Sequence, residues 1–182
     1  MPSIVAHAVA GIAVASAVAP RAATRRVWIA AALCAALPDI DALGRPFGNL
    51  GYETAFGGHR GITHSLLFAI ILGAVVSWLL VRGADSRHPH IRLWIALALA
   101  TASHGVFDML SVIGDGVAFW APLTWTHYEF AWQPLGDLGP GPRGPARVIA
   151  LVGNELVWVG LPAGIVMMIS WRARSTSRAA YE

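Results

Sequence analysis

The densest chemistry in the sequence is the run His59-Arg60-Gly61-Ile62-Thr63-His64-Ser65. Two imidazoles can supply nitrogen ligands to a metal ion. Gly61 permits a close backbone approach, and Arg60 carries a planar, permanent cation that suits a phosphate or carboxylate. Thr63 and Ser65 suit a supporting hydrogen bond or the N-cap of a following helix. The plain alternative for Arg60 is an interfacial anchor. His104 and Asp108 stand four residues apart, which on a helix puts an imidazole and a carboxylate on one face within reach of a single ion, with Ser111 beside them. A helix-face hydrogen bond or a proton relay explains that pair, taken alone, nearly as well. Asp39 and Asp41 flank Ile40 directly after Pro38, so one carboxylate can ligate or bridge while the other orients a histidine or takes a proton from water. An isolated aspartate there would more often cap a helix or face water. His7 and Glu155 are ionisable groups in apolar stretches; a satisfied core histidine and an interhelical hydrogen bond from Asn154 or Glu155 are their ordinary explanations.

The elements that must carry these groups are membrane helices by composition. Of 182 residues, 56% are hydrophobic and only 13% charged, and the mean hydropathy is +0.59, far more apolar than a soluble domain of this size. All 13 basic residues are arginine, and their short clusters between apolar runs form a topology pattern rather than a nucleic-acid-binding surface. Cys34 is the single cysteine, which excludes an intrachain disulfide and a thiolate cluster. Five apolar segments stand out, at about 3–19, 27–37, 62–81, 91–111 and 148–171. They predict an all-α polytopic transmembrane bundle of about five helices, a single integral membrane domain over residues 1–182. Most segments approach the ~20 residues needed to cross ~30 Å of hydrocarbon. The second is stopped by Pro38 about 10 Å short of the far interface. Ala17-Val18-Ala19 resembles a cleavage site, but the first residues lack a positive charge and Pro20 follows, which favours a retained first helix.

Arg21, Arg25 and Arg26, then Arg82, Arg87 and Arg92, then Arg172, Arg174 and Arg178 fall in three regions that the positive-inside rule assigns to the cytoplasm; Arg45, Arg60, Arg143 and Arg147 remain on the other side. The N-terminus is then outside, and the C-terminus, with a polar tail over 175–182, is cytoplasmic. His88 and His90 become cytoplasmic spectators. The loop over 112–147 falls on the outer side. Its glycines and prolines are interleaved with Phe119, Trp120, Trp125, Tyr128, Phe130 and Trp132, a composition suited to the membrane interface. Such a loop could roof a site, guide a lipid-like substrate or simply anchor, and His127 could approach the site from it. In this topology His7, the Pro38-Asp39-Ile40-Asp41 turn, His64, His104, Asp108 and Glu155 lie at one depth. Ionisable groups at that depth are costly unless paired, metal-bound or facing a wet cavity, so their convergence argues for one site.

Taken together, early His7, the PDxD turn of Pro38, Asp39 and Asp41, the HRGxTHS block from His59 to Ser65 and the SHxxxDxxS block of Ser103, His104, Asp108 and Ser111 resemble the membrane-bound metal-dependent hydrolase family of the YdjM type, also described as LexA-binding, inner-membrane-associated hydrolases. Gly153-Asn154-Glu155 resembles a looser element of that family's last helix. The resemblance covers most of the chain and implies a bacterial inner-membrane protein. The family is distantly similar to zinc-dependent phospholipase C and related single-strand nucleases, whose ligand order of His, Asp, His and HxxxD is found here; their second, HxxxE element is not, unless Glu155 partly replaces it. The resemblance implies a phosphoesterase.

The expected metal ligands are His7, Asp39, Asp41, His59, His64, His104, Asp108 and Glu155, around one or two divalent ions. Zn²⁺ fits these donors best, with Mn²⁺ or Fe²⁺ as alternatives. An ion in such a site lowers the pKa of bound water to about 7. Asp39, Asp41 or Glu155 would accept a proton, and Arg60 would stabilise charge on a phosphoryl group. The expected partners are membrane lipids and a phosphoester such as a phospholipid or lipid-linked phosphate. No nucleic acid is expected, and any protein partner is unspecified. Two rivals remain. A transporter or proton relay needs a polar path to the cytoplasmic face, where the helices are nearly all Ala, Val, Leu and Ile. A noncatalytic membrane adaptor would use a closed metal shell to hold helices together, whereas an open position beside Arg60 favours the enzyme.

Overall fold

A computed structural model describes residues 2–19, 24–47, 58–82, 90–136, 138 and 143–179. Arg21, Arg87, His88 and residues 180–182 of the tail, together with the side chains of Arg45, His90 and Arg178, lie outside the described residues. The helices are α1 (Ile4–Val18), α2 (Arg25–Ala36), α3 (Leu66–Val81), α4 (His90–Met109), α5 (Pro145–Glu155) and α6 (Leu161–Ala179). A π-helical turn, Leu156–Gly160, joins α5 to α6, so that Pro145–Ser175 runs as one rod. Among the described residues there is no β-strand, only two isolated bridges within the loop that follows α4. The chain is all-helical, as its composition predicts.

The helix starts are written in the sequence. Ser3, Thr24 and Ser65 each accept a hydrogen bond from a backbone N–H of the first turn of α1, α2 and α3, satisfying donors that a helix cannot pair internally. Pro145 occupies the first turn of α5, where its missing N–H costs nothing. The second apolar segment is short, as expected: α2 has 12 residues and tightens directly into a 3-10 segment, Leu37–Phe47, that carries the PDxD turn.

The bundle is packed on small residues. Its main core is built around Ala15, Ala30, Ala31, Ala96, Leu97 and Ala100. Gly11 meets α2 so closely that a Cβ would lie 2.5 Å from the Ala35 Cβ, and one on Gly73 would lie 2.5 Å from the Ala98 backbone nitrogen. Many large apolar side chains point outward: Ile29, Leu33, Ile71, Trp78, Leu79 and Ile169 are all at least half exposed. Small residues thus line the helix contacts while many bulky aliphatics lie on the surface, the reverse of the usual distribution in a water-soluble domain. The Pro145–Ser175 rod is long and apolar enough to cross a membrane, while α1 and α3 are apolar but shorter.

Helix direction sorts the charges. α1 and α3 start, and α2 and α4 end, beside the histidines and aspartates of interest. Arg25, Arg26, Arg82, Arg92, Arg172 and Arg174 sit at the opposite helix ends, where the Arg174 guanidinium lies over the Trp28 ring at 5.9 Å.

Candidate metal centre

Four side chains from three parts of the chain converge: Asp39 from the 3-10 segment, His64 from the short 3-10 turn Ile62–His64 before α3, and His104 and Asp108 from α4, with one ligand atom of each within 4.8 Å of the others. His64, His104 and Asp108 are almost fully buried.

The imidazole tautomers follow from their outer hydrogen bonds. His104 Nδ1 donates to the Ala35 carbonyl at 2.7 Å. In a tightening helix end the i+3 partner of that carbonyl is Pro38, which has no N–H, so the oxygen is open to a histidine. His64 Nδ1 donates to Thr63 Oγ1 at 3.0 Å and lies 3.3 Å from Asp41 Oδ2. With both Nδ1 atoms carrying protons, the two Nε2 atoms present lone pairs to each other across 3.1 Å. Asp39 Oδ1 lies 3.5 Å from His104 Nε2, and Asp108 Oδ2 lies 3.5 Å from His64 Nε2. Among the described residues neither of these carboxylate oxygens has a hydrogen-bond donor in good geometry, Arg60 Nε standing 3.2 Å from Asp108 Oδ2 as an ion-pair partner. Facing lone pairs and buried, undonated carboxylate oxygens are repulsive by themselves and complementary to a divalent cation, so the residues present fit a metal ion.

Asp41 does different work from Asp39. Its Oδ1 accepts from His59 Nδ1 at 2.7 Å, and its Oδ2 accepts from the Arg60 amide at 3.0 Å and from Thr63 Oγ1 at 2.8 Å. Both of its oxygens are thereby committed to donors, with His64 Nδ1 3.3 Å away. Asp41 is thus an orienting anion for the two histidines, and His59 stands beside the cluster as its donor.

His7 is buried against the centre, its ring stacked on His104 at 3.7 Å between centroids and its Nε2 3.6 Å from Asp108 Oδ1. Among the described residues neither of its ring nitrogens has a hydrogen-bond partner. Arg60 is buried too, which sets aside the interfacial-anchor alternative. Its Nε lies 3.2 Å from Asp108 Oδ2, its Nη2 donates to the Ile113 carbonyl at 2.7 Å, and its Nη1 has no hydrogen-bond partner among the described residues. Its backbone has φ +65°, a left-handed conformation that is uncommon for a residue with a side chain.

The post-α4 loop folds back over this end of the bundle. Ala118 N–H donates to the Arg60 carbonyl, Leu66 N–H to the Phe119 carbonyl and Phe130 N–H to the Met109 carbonyl, and the loop's own Val117, Ala118, Ala121 and Leu135 are buried. Trp120, Trp125, Phe130 and Trp132 remain exposed, as does His127.

Not every expected residue joins the cluster. Glu155 lies outside it and accepts from the backbone N–H and the hydroxyl of Ser3. Ser65 caps α3 through Phe68 N–H at 3.1 Å, and Ser111 Oγ accepts from Ile113 N–H. Sequence reading did not single out the Ala35 carbonyl, whose only signal is Pro38 three residues later, or Ile113 and Gly114, which bear on Arg60 from a loop without periodicity.

The family model of the YdjM inner membrane protein matches residues 1–176. Inner membrane protein YbcI of Escherichia coli (strain K12) is 31% identical over 180 aligned residues, covering 96% of this chain and 100% of that relative. No solved structure matches. On a match that spans nearly its whole length, the chain belongs to the YdjM family of inner membrane proteins.

Proposed function

We propose that this protein is a multi-pass inner-membrane, metal-dependent hydrolase of phosphoesters, acting on a lipid or lipid-linked phosphate at the extracytoplasmic face. One observation carries the reading. An ion that only fastens helices needs four donors, and Asp39, His64, His104 and Asp108 already provide them. Beside them stand a buried guanidinium with an unpartnered Nη1 and a buried histidine with neither nitrogen bonded among the described residues. Stapling requires neither group; reaction on a phosphate uses both.

Asp39, His64, His104 and Asp108 would hold the ion, with Zn²⁺ favoured by the donor set. When bound, it would supply Lewis acidity and a water acidified to a pKa of about 7. Asp41 keeps the His64 ring in register. Arg60 balances Asp108 through Nε and offers Nη1 to an anionic oxygen. His7 is the nearest uncommitted nitrogen able to hold a proton at the edge of the centre. A proton relay through the bundle finds little support: of the buried hydroxyls in the described helices, Ser77, Thr101 and Ser170 are spent on carbonyls of their own helices, and Ser16 of α1 stands without a partner among the described residues.

The segregation of arginines to the helix ends far from the centre supports an outward-facing site. A reporter fused after Trp171 should read cytoplasmic, and an extracytoplasmic signal would place the centre on the other face.

The second reading is a noncatalytic, metal-stapled adaptor, favoured by the four protein donors themselves. The deciding experiment begins with protein purified in mild detergent without chelator or metal-affinity tag and analysed for bound metal by mass spectrometry. Near-stoichiometric metal in wild type, lost in His104→Ala and Asp39→Ala, is the expected result. Turnover of phosphoesters by the loaded protein then separates enzyme from adaptor, and a wild type that also refuses added Zn²⁺ and Mn²⁺ would end both readings.

A further inference from the structure

Two successive side chains at the end of α5, Asn154 and Glu155, each reach a different element of the centre without approaching the cluster. Glu155 takes both donors of Ser3, with the hydroxyl at 2.6 Å. The Ser3 hydroxyl caps the first turn of α1 through Ala6 N–H, and the His7 N–H donates to the Ser3 carbonyl at 3.1 Å. Glu155 therefore grips α1 one turn before His7. Asn154 Oδ1 accepts from Gly136 N–H at 3.0 Å, and its Nδ2 donates to the Pro134 carbonyl at 2.9 Å. Leu135, held between these two contacts, exchanges backbone hydrogen bonds with Leu110 and Val112, immediately after Asp108.

We propose that Asn154 and Glu155 are a pair of positioning residues: Glu155 sets the depth and rotation of α1, and with it His7, while Asn154 pins the roof loop to the end of α4 that presents Asp108. The inference rests on the metal-centre reading and takes Glu155 out of the ligand shell that its depth suggested. The grip is chemical as well as steric, since a carboxylate with two donors on one serine fixes both the position and the direction of the helix start.

The test measures Zn²⁺ dissociation constants of the purified full-length protein and the visible spectrum of its Co²⁺-loaded form. Partners of this outer kind typically carry about 10–100-fold in metal affinity. Ser3→Ala, at a residue outside the cluster, should weaken Zn²⁺ binding and shift the Co²⁺ spectrum in the same direction as Glu155→Ala, and the double variant should be no worse than Glu155→Ala alone. Glu155→Gln keeps an acceptor for the Ser3 N–H and a donor for its hydroxyl, and should recover most of the affinity. Asn154→Ala should perturb the same spectrum without removing the ion. Loss of the ion in Glu155→Ala and Glu155→Gln together, with Ser3→Ala unaffected, would make Glu155 a ligand and overturn the inference. Wild type that binds no Zn²⁺ would overturn the metal-centre reading and this inference with it.

Discussion

Asp108→Ala should lose the bound metal and about 3–5 kcal/mol of stability together. The carboxylate has two separable duties. Its oxygens face His64, His104 and His7, and it is also the ion partner of the buried Arg60, whose Nε stands 3.2 Å away. Removing it leaves a guanidinium in a protein interior with the Ile113 carbonyl as its hydrogen-bond partner among the described residues, the situation in which deleting one partner of a buried pair is most damaging. Unfolding measured in detergent after chelation isolates the second duty from the first. The double variant Asp108→Ala with Arg60→Leu removes both charges and should recover much of the stability while remaining unable to bind metal. If chelated Asp108→Ala unfolds with chelated wild type, the ion pair contributes nothing and Asp108 matters to the ion alone.

Gly114→Ala should damage both the fold and the centre. Its backbone has φ +115°, and a Cβ placed there would lie 2.0 Å from Arg60 Nη1 and 2.5 Å from Cζ. The strained backbone alone costs on the order of 1–3 kcal/mol. The end of a flexible side chain can often move aside cheaply, but this one is buried and tied to Asp108 and Ile113, so its displacement exposes the unpaired-charge penalty as well. The expected result is a lower unfolding midpoint and weaker Zn²⁺ binding. Gly164→Ala, where a Cβ meets nothing within 4 Å, serves as control. Equal midpoints for the two variants would remove Gly114 from any part in building the centre.

Depth was the legible quantity in the sequence. A rise of about 1.5 Å per residue, applied to apolar runs of known direction, was enough to bring His7, Asp39, His64, His104 and Asp108 to one end of the bundle, and the i, i+4 spacing placed His104 and Asp108 on one face. Azimuth was not legible in the same way. Glu155 shares the depth, yet its carboxylate turns to Ser3, 152 residues earlier, and no local periodicity announces that contact. The division between Asp39 and Asp41 was likewise hidden, because it depends on which carboxylate meets the Arg60 amide and the Thr63 hydroxyl in a 3-10 segment rather than on their spacing. The loop's aromatic composition predicted an interfacial segment; its backbone ties to Arg60, Leu66 and Met109 are contacts between distant parts of the chain that composition cannot specify.

The turn at Leu156–Gly160 sets the rotational phase between the two parts of the last rod. Leu161 N–H bonds to the Leu156 carbonyl, five residues back instead of four, so one residue more than an α-helix needs is wound into the rod. A residue corresponds to about 100° of rotation. Shortening this turn by a single residue would leave the helix continuous and nearly as long, but would turn its first part by roughly that angle against α6, carrying Asn154 and Glu155 away from Pro134, Gly136 and Ser3. The rod thus works like a screw with a keyed thread, in which the angular setting of α6 among its neighbours at the arginine end fixes where the two side chains point at the other.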